Sequence, residues 1–282
     1  MPDPVIFSFG SLAIRWYGVF AAAGMLVFYG LQSLRAKRYG FTAEVVSDLT
    51  FVCMLAGIIG ARLAYVWRFW TEEFAGRGFF AVFKIWQGGL VFQGGFILAV
   101  LAAIVFCRIR KWPLSQVADL VAPALPAGHA LARIGCLLNG CCFGRLYYGP
   151  LAVIYPREGN SVFAIQMQQG ILPPGATACA PTFPVAGLEA IGNLLLCLLL
   201  LQLEKKSLCR GRLFLLYVLI YSAMRFGLEI FRGDYLPVPT GLTPAQDTSL
   251  WVLGATGAIW LAWASRNRWK SKNNDGSKPA KI

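Results

Sequence analysis

The stretch HALARIGCLLNGCCFG, residues 129–144, gathers the chain's only histidine, an arginine, an asparagine and three of its eight cysteines. His129 stands four positions before Arg133, so on a helix the two project from one face. Imidazole exchanges protons near neutral pH, and a guanidinium fork matches the oxygens of a phosphate. The pair suits chemistry on an anionic substrate in which a proton has to move. A lone helical histidine also serves as a packing or hydrogen-bonding residue, and that reading stays open beside the first.

Two further arginines lie in apolar surroundings. Arg225, in YSAMRFGLEIFRGD, has Glu229 four residues on, a natural ion pair, with Arg232 just beyond. Arg62, in GIIGARLAYVW, has no acid at helical spacing, and neither has Arg133. An arginine inside a membrane span is costly, roughly +2.5 to +3.5 kcal/mol on insertion scales, so it faces a cavity or a partner. Arg133 is thus the stronger candidate for holding an external anion.

The cysteines allow two kinds of chemistry. His129, Cys136, Cys141 and Cys142 are conceivable metal ligands, but His-x6-Cys-x4-Cys-Cys matches none of the usual structural zinc spacings, so no metal centre is expected. A disulfide between Cys141 or Cys142 and Cys179 is favoured if these residues face an oxidising compartment. Cys53, Cys107 and Cys197 read as small apolar residues.

The elements that must position these groups are membrane helices. Of 282 residues, 57% are hydrophobic and only 14% charged, against roughly 25% charged in soluble domains; mean hydropathy is +0.59. Apolar runs near 16–34, 48–67, 88–107, 117–139, 187–203, 211–231 and 248–264 predict an all-α integral membrane bundle of about seven spans. Residues 1–265 form its single domain and 266–282 a basic, disordered tail. The fourth run is interrupted by Pro123 and Pro126, and broken helices are tolerated in membranes where they line a cavity. The paired glycines of WQGGLVFQGGF, 86–96, flank Gln93 and permit close approach of helices, backbone or a lipid headgroup.

Of the 26 basic residues, 16 follow the first, third, fifth and seventh runs and 7 lie on the other side. The positive-inside rule then puts the N-terminus outside and the tail in the cytoplasm. The segment 140–186, with its ILPPGATACAPTFP stretch, becomes an irregular extracytoplasmic cap. The net charge of +13 reads as topology plus attraction to anionic membrane lipids, not as nucleic-acid binding. No cleaved signal peptide is expected in MPDPVIFSFGSLAIRWYG, which lacks a basic region followed directly by an apolar core.

Four segments, PVIFSFGSLAIRWYG (4–18), GGLVFQGG (88–95), ARIGCLLNGCCFG (132–144) and RFGLEIFR (225–232), stand in the order and approximate spacing of a known family. The chain resembles the phosphatidylglycerol–prolipoprotein diacylglyceryl transferases over nearly its whole length. The resemblance implies a seven-span enzyme of the bacterial inner membrane with its N-terminus outside and no cofactor. It implies transfer of the diacylglyceryl group of phosphatidylglycerol to the lipobox cysteine thiol in a prolipoprotein signal peptide, with formation of a thioether and release of glycerol 1-phosphate. By that similarity Arg133 binds phosphatidylglycerol, with Asn139 and Gly144 in the same signature. Arg225 is the second essential arginine, with Glu229 beside it, and Tyr17 is the tyrosine of the first span.

Departures from the family pattern fall at the chemistry. Cys136 replaces an asparagine of the signature and Cys141 its glutamate. Gln93 stands where the family has a histidine proposed as general base, and FPVAGLE replaces a common HPSQLYE, keeping Pro184 and Glu189. Two accounts meet the missing base. His129 substitutes for it, or the positive charges of Arg133 and Arg225 lower the substrate thiol's pKa without a base. Two other classes compete with the transferase: a non-catalytic lipid-binding relative, and a membrane thiol oxidoreductase using Cys136, Cys141, Cys142 and Cys179.

Overall fold

The computed structural model describes residues 1, 3–9, 12–76, 79–85, 88–157, 161–206, 211–234 and 241–275, with side chains to Trp263 except those of Phe9 and Leu12. Arg77, Arg210, Lys278 and Lys281 of the charge balance lie outside the described residues, as do Trp86 and Gln87 of the glycine-rich segment.

Two short strands, β1 (Val5–Phe9) and β2 (Leu12–Arg15), pair antiparallel and lead directly into α1 (Trp16–Arg35). The remaining helices are α2 (Ala43–Arg68), α3 (Phe92–Ile109), α4 (Leu114–Val121), α5 (Ala124–Asn139), α6 (Val162–Gln168), α7 (Val185–Lys205), α8 (Arg212–Glu229) and α9 (Pro244–Asp275). Five helical segments are long and apolar enough to cross a membrane: Trp16–Tyr39, Ala43–Arg68, Phe92–Ile109, Leu114–Asn139 and Val185–Lys205. The chain is therefore a multi-pass membrane protein with an all-α bundle. Large residues such as Leu26, Ile59, Leu63, Phe96 and Leu195 stay more than half exposed. An outward apolar surface of that extent is what a bilayer covers.

The interrupted fourth run is two helices, α4 and α5, divided at Ala122–Pro123. Pro126 falls in the first turn of α5, where a missing backbone N–H breaks no helical bond. The composition of the tail suggests disorder, yet α9 continues through it as far as Asp275. Adding a residue to an existing helix is far easier than nucleating one, so an apolar helix carries its polar continuation with it. Residues 276–282 lie outside the described part.

Two close helix pairs form the bundle's frame, α2 with α3 and α1 with α5; α5 also packs on α7, α7 on α8, and α8 on α9. Glycines permit the first two approaches. A Cβ on Gly60 would strike the Gly94 carbonyl, and one on Gly24 the Gly128 carbonyl. Association in lipid relies on such backbone contact, because no hydrophobic force separates helix from lipid tail.

Polar fastenings hold the ends opposite the cap. The Arg35 guanidinium is bidentate on Glu204 (Nε–Oε2 2.9 Å, Nη2–Oε1 2.6 Å) and donates from Nη1 to the Leu120 carbonyl at 2.6 Å. Tyr39 donates to the same carboxylate at 2.7 Å. Asp119 of α4 accepts from the Gly211 and Phe214 amides at 2.6 and 3.1 Å, satisfying orphan donors at the start of α8. Arg62 also finds its explanation here. Its guanidinium donates to four carbonyls, those of Ala81, Val82, Gly88 and Gly89, at 2.7–3.1 Å. It organises the α2–α3 connection.

The segment after α5 forms the cap. Among the described residues it carries the short α6 and isolated bridges, Leu146 and Val153 each to Thr182 and Gly144 to Arg232. Its own small core is Phe143, Tyr155, Val162 and Cys179.

Candidate active site

Arg133 sits on α5 between α1 and α7, and its side chain is only 15% exposed. Burying that charge requires compensation, and although no acid stands near it in sequence, the fold supplies one. Glu189, on α7 and wholly buried, places Oε1 3.1 Å from the Arg133 Nε. Its partner comes from another helix, which spacing along α5 does not reveal. Arg133 also donates from Nε to His129 Nε2 at 3.0 Å and from Nη1 to the Cys142 sulfur at 3.2 Å. The Cys136 sulfur lies 3.9 Å from the same Nη1.

His129 faces this cluster as its spacing predicts, and its ring lies 5.4 Å from that of Tyr221 on α8. Its Nε2 accepts the Arg133 Nε hydrogen bond and lies 3.8 Å from the Glu189 carboxylate, so the imidazole helps fix the guanidinium plane. Arg225 pairs with Glu229 at 2.6 Å, the expected i,i+4 partner. The other oxygen of Glu229 accepts from Thr243 at 2.8 Å, and Arg232 approaches at 3.9 Å. Arg133 and Arg225 both fall within electrostatic reach of His129 and Tyr221, so two arginines from different helices serve one region.

Tyr17 lies where α1 crosses α5. A Cβ on Gly135 would press on the Tyr17 backbone, and the Tyr17 phenol is within electrostatic reach of Arg133 and the three nearby cysteines. Asn139 ends α5 with Oδ1 buried and without a hydrogen-bond partner among the described residues. Gly144 is locked into the cap. Its N–H donates to the Phe183 carbonyl at 3.0 Å, it bridges to Arg232, and a Cβ there would collide with Phe183 and Val185. Gln93 stands apart from these residues: it is exposed near the start of α3, whose main partner is α2.

The exit of α5 folds back sharply. Gly140 adopts the left-handed conformation (φ 68°), and the Cys141 N–H returns to the Cys136 carbonyl at 3.2 Å. This is the Schellman closure of a helix end. Cys142 is itself left-handed (φ 56°), an uncommon conformation for a side-chain-bearing residue that costs about 1–3 kcal/mol. The result gathers the sulfurs of Cys136, Cys141 and Cys142 within 4.8 Å of one another. Hydrogen bonds from the Cys136 and Cys141 thiols, joined by the charges of Arg133 and Arg232, hold the Cys142 thiol well below the usual range, while the same thiol network pushes Cys141 up.

The disulfide expected between Cys141 or Cys142 and Cys179 is not formed; all three are free thiols. Cys179 is buried in the cap core and donates to the Pro156 carbonyl at 3.6 Å, whereas the helix-end turn commits the other two toward Cys136. Burial raises the Cys179 thiol.

A cavity of about 780 Å³ lies between the cap and the residues around Glu229, Arg232 and Thr243. Gly144, Arg145, Gln166, Gln169, Glu229 and Arg232 line it, so it adjoins both the signature glycine and the Arg225–Glu229 pair. Neither the cavity nor the Glu189 contact is visible in local spacing. The one signal for Glu189 is an acid inside an apolar run, which demands a partner.

Comparison with known proteins accounts for the arrangement. Residues 4–263 match the family model described as prolipoprotein diacylglyceryl transferase. Relatives include the phosphatidylglycerol–prolipoprotein diacylglyceryl transferases of Gloeobacter violaceus (36% identical, covering 92% of this chain and 93% of the relative) and Trichormus variabilis (33%, covering 92% and 90%). That of Cupriavidus metallidurans is 30% identical, covering 94% of each chain. With a matched region that contains every residue of the Arg133 cluster, the chain belongs to the prolipoprotein diacylglyceryl transferase family.

Proposed function

We propose that the chain transfers the diacylglyceryl group of phosphatidylglycerol to the cysteine thiol of a prolipoprotein lipobox. A C–S bond forms as the C–O bond to phosphate breaks, and glycerol 1-phosphate leaves. The observation that carries this reading is a largely buried guanidinium, Arg133, oriented by its hydrogen bond to His129 and ion-paired with Glu189 from a second helix. Such a fork suits the phosphodiester and the charge that grows on the leaving phosphate.

Asn139 Oδ1 is the acceptor for a headgroup hydroxyl, since it is buried and otherwise unmatched. Arg225 adds a second positive charge from α8 while Glu229 anchors it. Tyr17 borders the lipid side of the cluster from α1. Gln93 contributes to substrate binding only from the α2–α3 pair. His129 supports Arg133 rather than accepting the substrate's proton, because its Nε2 lone pair already takes the Arg133 N–H. Thiolate formation then rests on the two arginine charges, which stabilise a substrate thiolate whose free pKa is about 8.5, and the thiol proton leaves with the departing phosphate monoester.

The chain sits in the bacterial inner membrane with seven spans, α8 and α9 completing the five long apolar segments. The N-terminal hairpin and cap are extracytoplasmic and the C-terminal tail is cytoplasmic, in keeping with the charge asymmetry.

The test is complementation. A bacterium depleted of its own transferase receives this chain, and lipidation of a reporter prolipoprotein is read by mass. Wild type restores the diacylglyceryl adduct and Arg133→Ala does not. Binding of phosphatidylglycerol without any adduct would identify a non-catalytic lipid protein instead.

A further inference from the structure

The cysteines at positions 136, 141 and 142 have no task in the proposed transfer. Their sulfurs nevertheless converge within 4.8 Å of one another, with Cys136 buried and the other two half-buried. Three thiolates around a zinc-sized ion, at bonds of about 2.3 Å, have sulfur separations of about 3.8–4.0 Å. Contraction of less than about an ångström, within side-chain rotation, closes this group on a metal. Backbone geometry already holds it: the helix-end turn returns Cys141 to Cys136, and the left-handed Cys142 points its sulfur back at Arg133.

Charge supports the same assignment. A divalent ion on three thiolates carries net charge −1, and a monovalent one −2. The Arg133 Nη1, 3.2 Å from the Cys142 sulfur and 3.9 Å from that of Cys136, supplies the compensating outer hydrogen bonds. Soft thiolates select soft d10 ions over calcium or magnesium.

We propose that Cys136, Cys141 and Cys142 form a binding site for a thiophilic d10 metal ion, zinc(II), cadmium(II) or copper(I), with Arg133 as its outer-sphere donor. Binding displaces thiol protons to solvent and involves no redox change. If Arg133 also holds the lipid phosphate, as proposed above, the loaded site occupies the same guanidinium and metal slows lipid transfer. The metal site itself does not depend on that reading.

The test uses the full chain in lipid nanodiscs under a non-thiol reductant, titrated with cadmium(II). A sulfur-to-cadmium charge-transfer band saturating at one equivalent is expected. It disappears in the Cys136→Ser/Cys141→Ser/Cys142→Ser variant and persists in Cys179→Ser. Arg133→Gln weakens cadmium binding by about tenfold. On the wild-type chain, one equivalent of cadmium protects Cys141 and Cys142 from maleimide as read by peptide mass, a measurement that does not require the triple variant to fold. Absence of the band, its survival in the folded triple variant, or unprotected Cys141 and Cys142 would each overturn the metal site. A band with undiminished lipidation would leave the site standing and overturn only its link to Arg133 function.

Discussion

The Arg133–Glu189 pair lends itself to a double-mutant cycle. At 3.1 Å two unit charges attract by about 5 kcal/mol at an effective dielectric near 20. The carboxylate is fully buried and the guanidinium 15% exposed, so some solvent screening survives on one side. Breaking a buried pair by removing one partner typically costs about 3–5 kcal/mol, because the other charge is left stranded. Glu189→Gln and Arg133→Met should each lower unfolding free energy by about 3 kcal/mol, and the double variant by less than their sum by about 2 kcal/mol. Unfolding in mixed micelles of increasing anionic-detergent fraction measures all four corners of the cycle. Additivity within about 0.5 kcal/mol would show that the contact is not an energetic unit and would refute the assignment of Glu189 as Arg133's counter-ion.

Other outcomes follow from neighbouring contacts. His129→Gln, which keeps an acceptor for the Arg133 Nε, should retain most lipidation activity without altering the acidic limb of its pH profile; His129→Leu should lose about 10–100-fold, the worth of a hydrogen bond to a charged group. A pH limb lost in the Gln variant would restore the proton-acceptor role. Gly144→Ala forces a methyl against Phe183 and Val185 and should cost about 1–3 kcal/mol, read as a lowered melting temperature and weaker lipidation. The neighbouring thiols and the Arg133 charge favour the thiolate of Cys142 relative to an ordinary thiol, near 8.5. At about pH 6.5, iodoacetamide with peptide mapping should therefore modify Cys142 before Cys179, and Arg133→Met should slow that modification.

Much of the frame was legible because lipid imposes simple demands on composition. Apolar runs coincide with the long helices α1, α2, α3, α7 and α8, and Pro123 marked the division between α4 and α5. The i,i+4 spacing revealed Arg225 with Glu229 and the shared face of His129 and Arg133. Contacts between helices were not legible, since Arg133 and Glu189 meet only through the packing of α5 on α7. The N-terminal hairpin escaped notice because its apolar residues merge with the first span. The cysteine cluster was hidden by treating Cys-x4-Cys-Cys as linear spacing, when the left-handed turn at Gly140 and Cys142 brings the sulfurs together.

The Arg35–Glu204 fastening has a consequence for biogenesis. Its two residues are 169 positions apart, so Arg35 emerges from the ribosome long before its counter-ion exists. Until α7 has entered the membrane, the long Arg35 side chain must snorkel to the headgroup boundary, where anionic lipids can host it. Arrival of Glu204 draws Arg35 inward and, through the Leu120 carbonyl, gathers α4 at the same moment. The clamp thus ties α1, α4 and α7 into one unit only once Glu204 is in place.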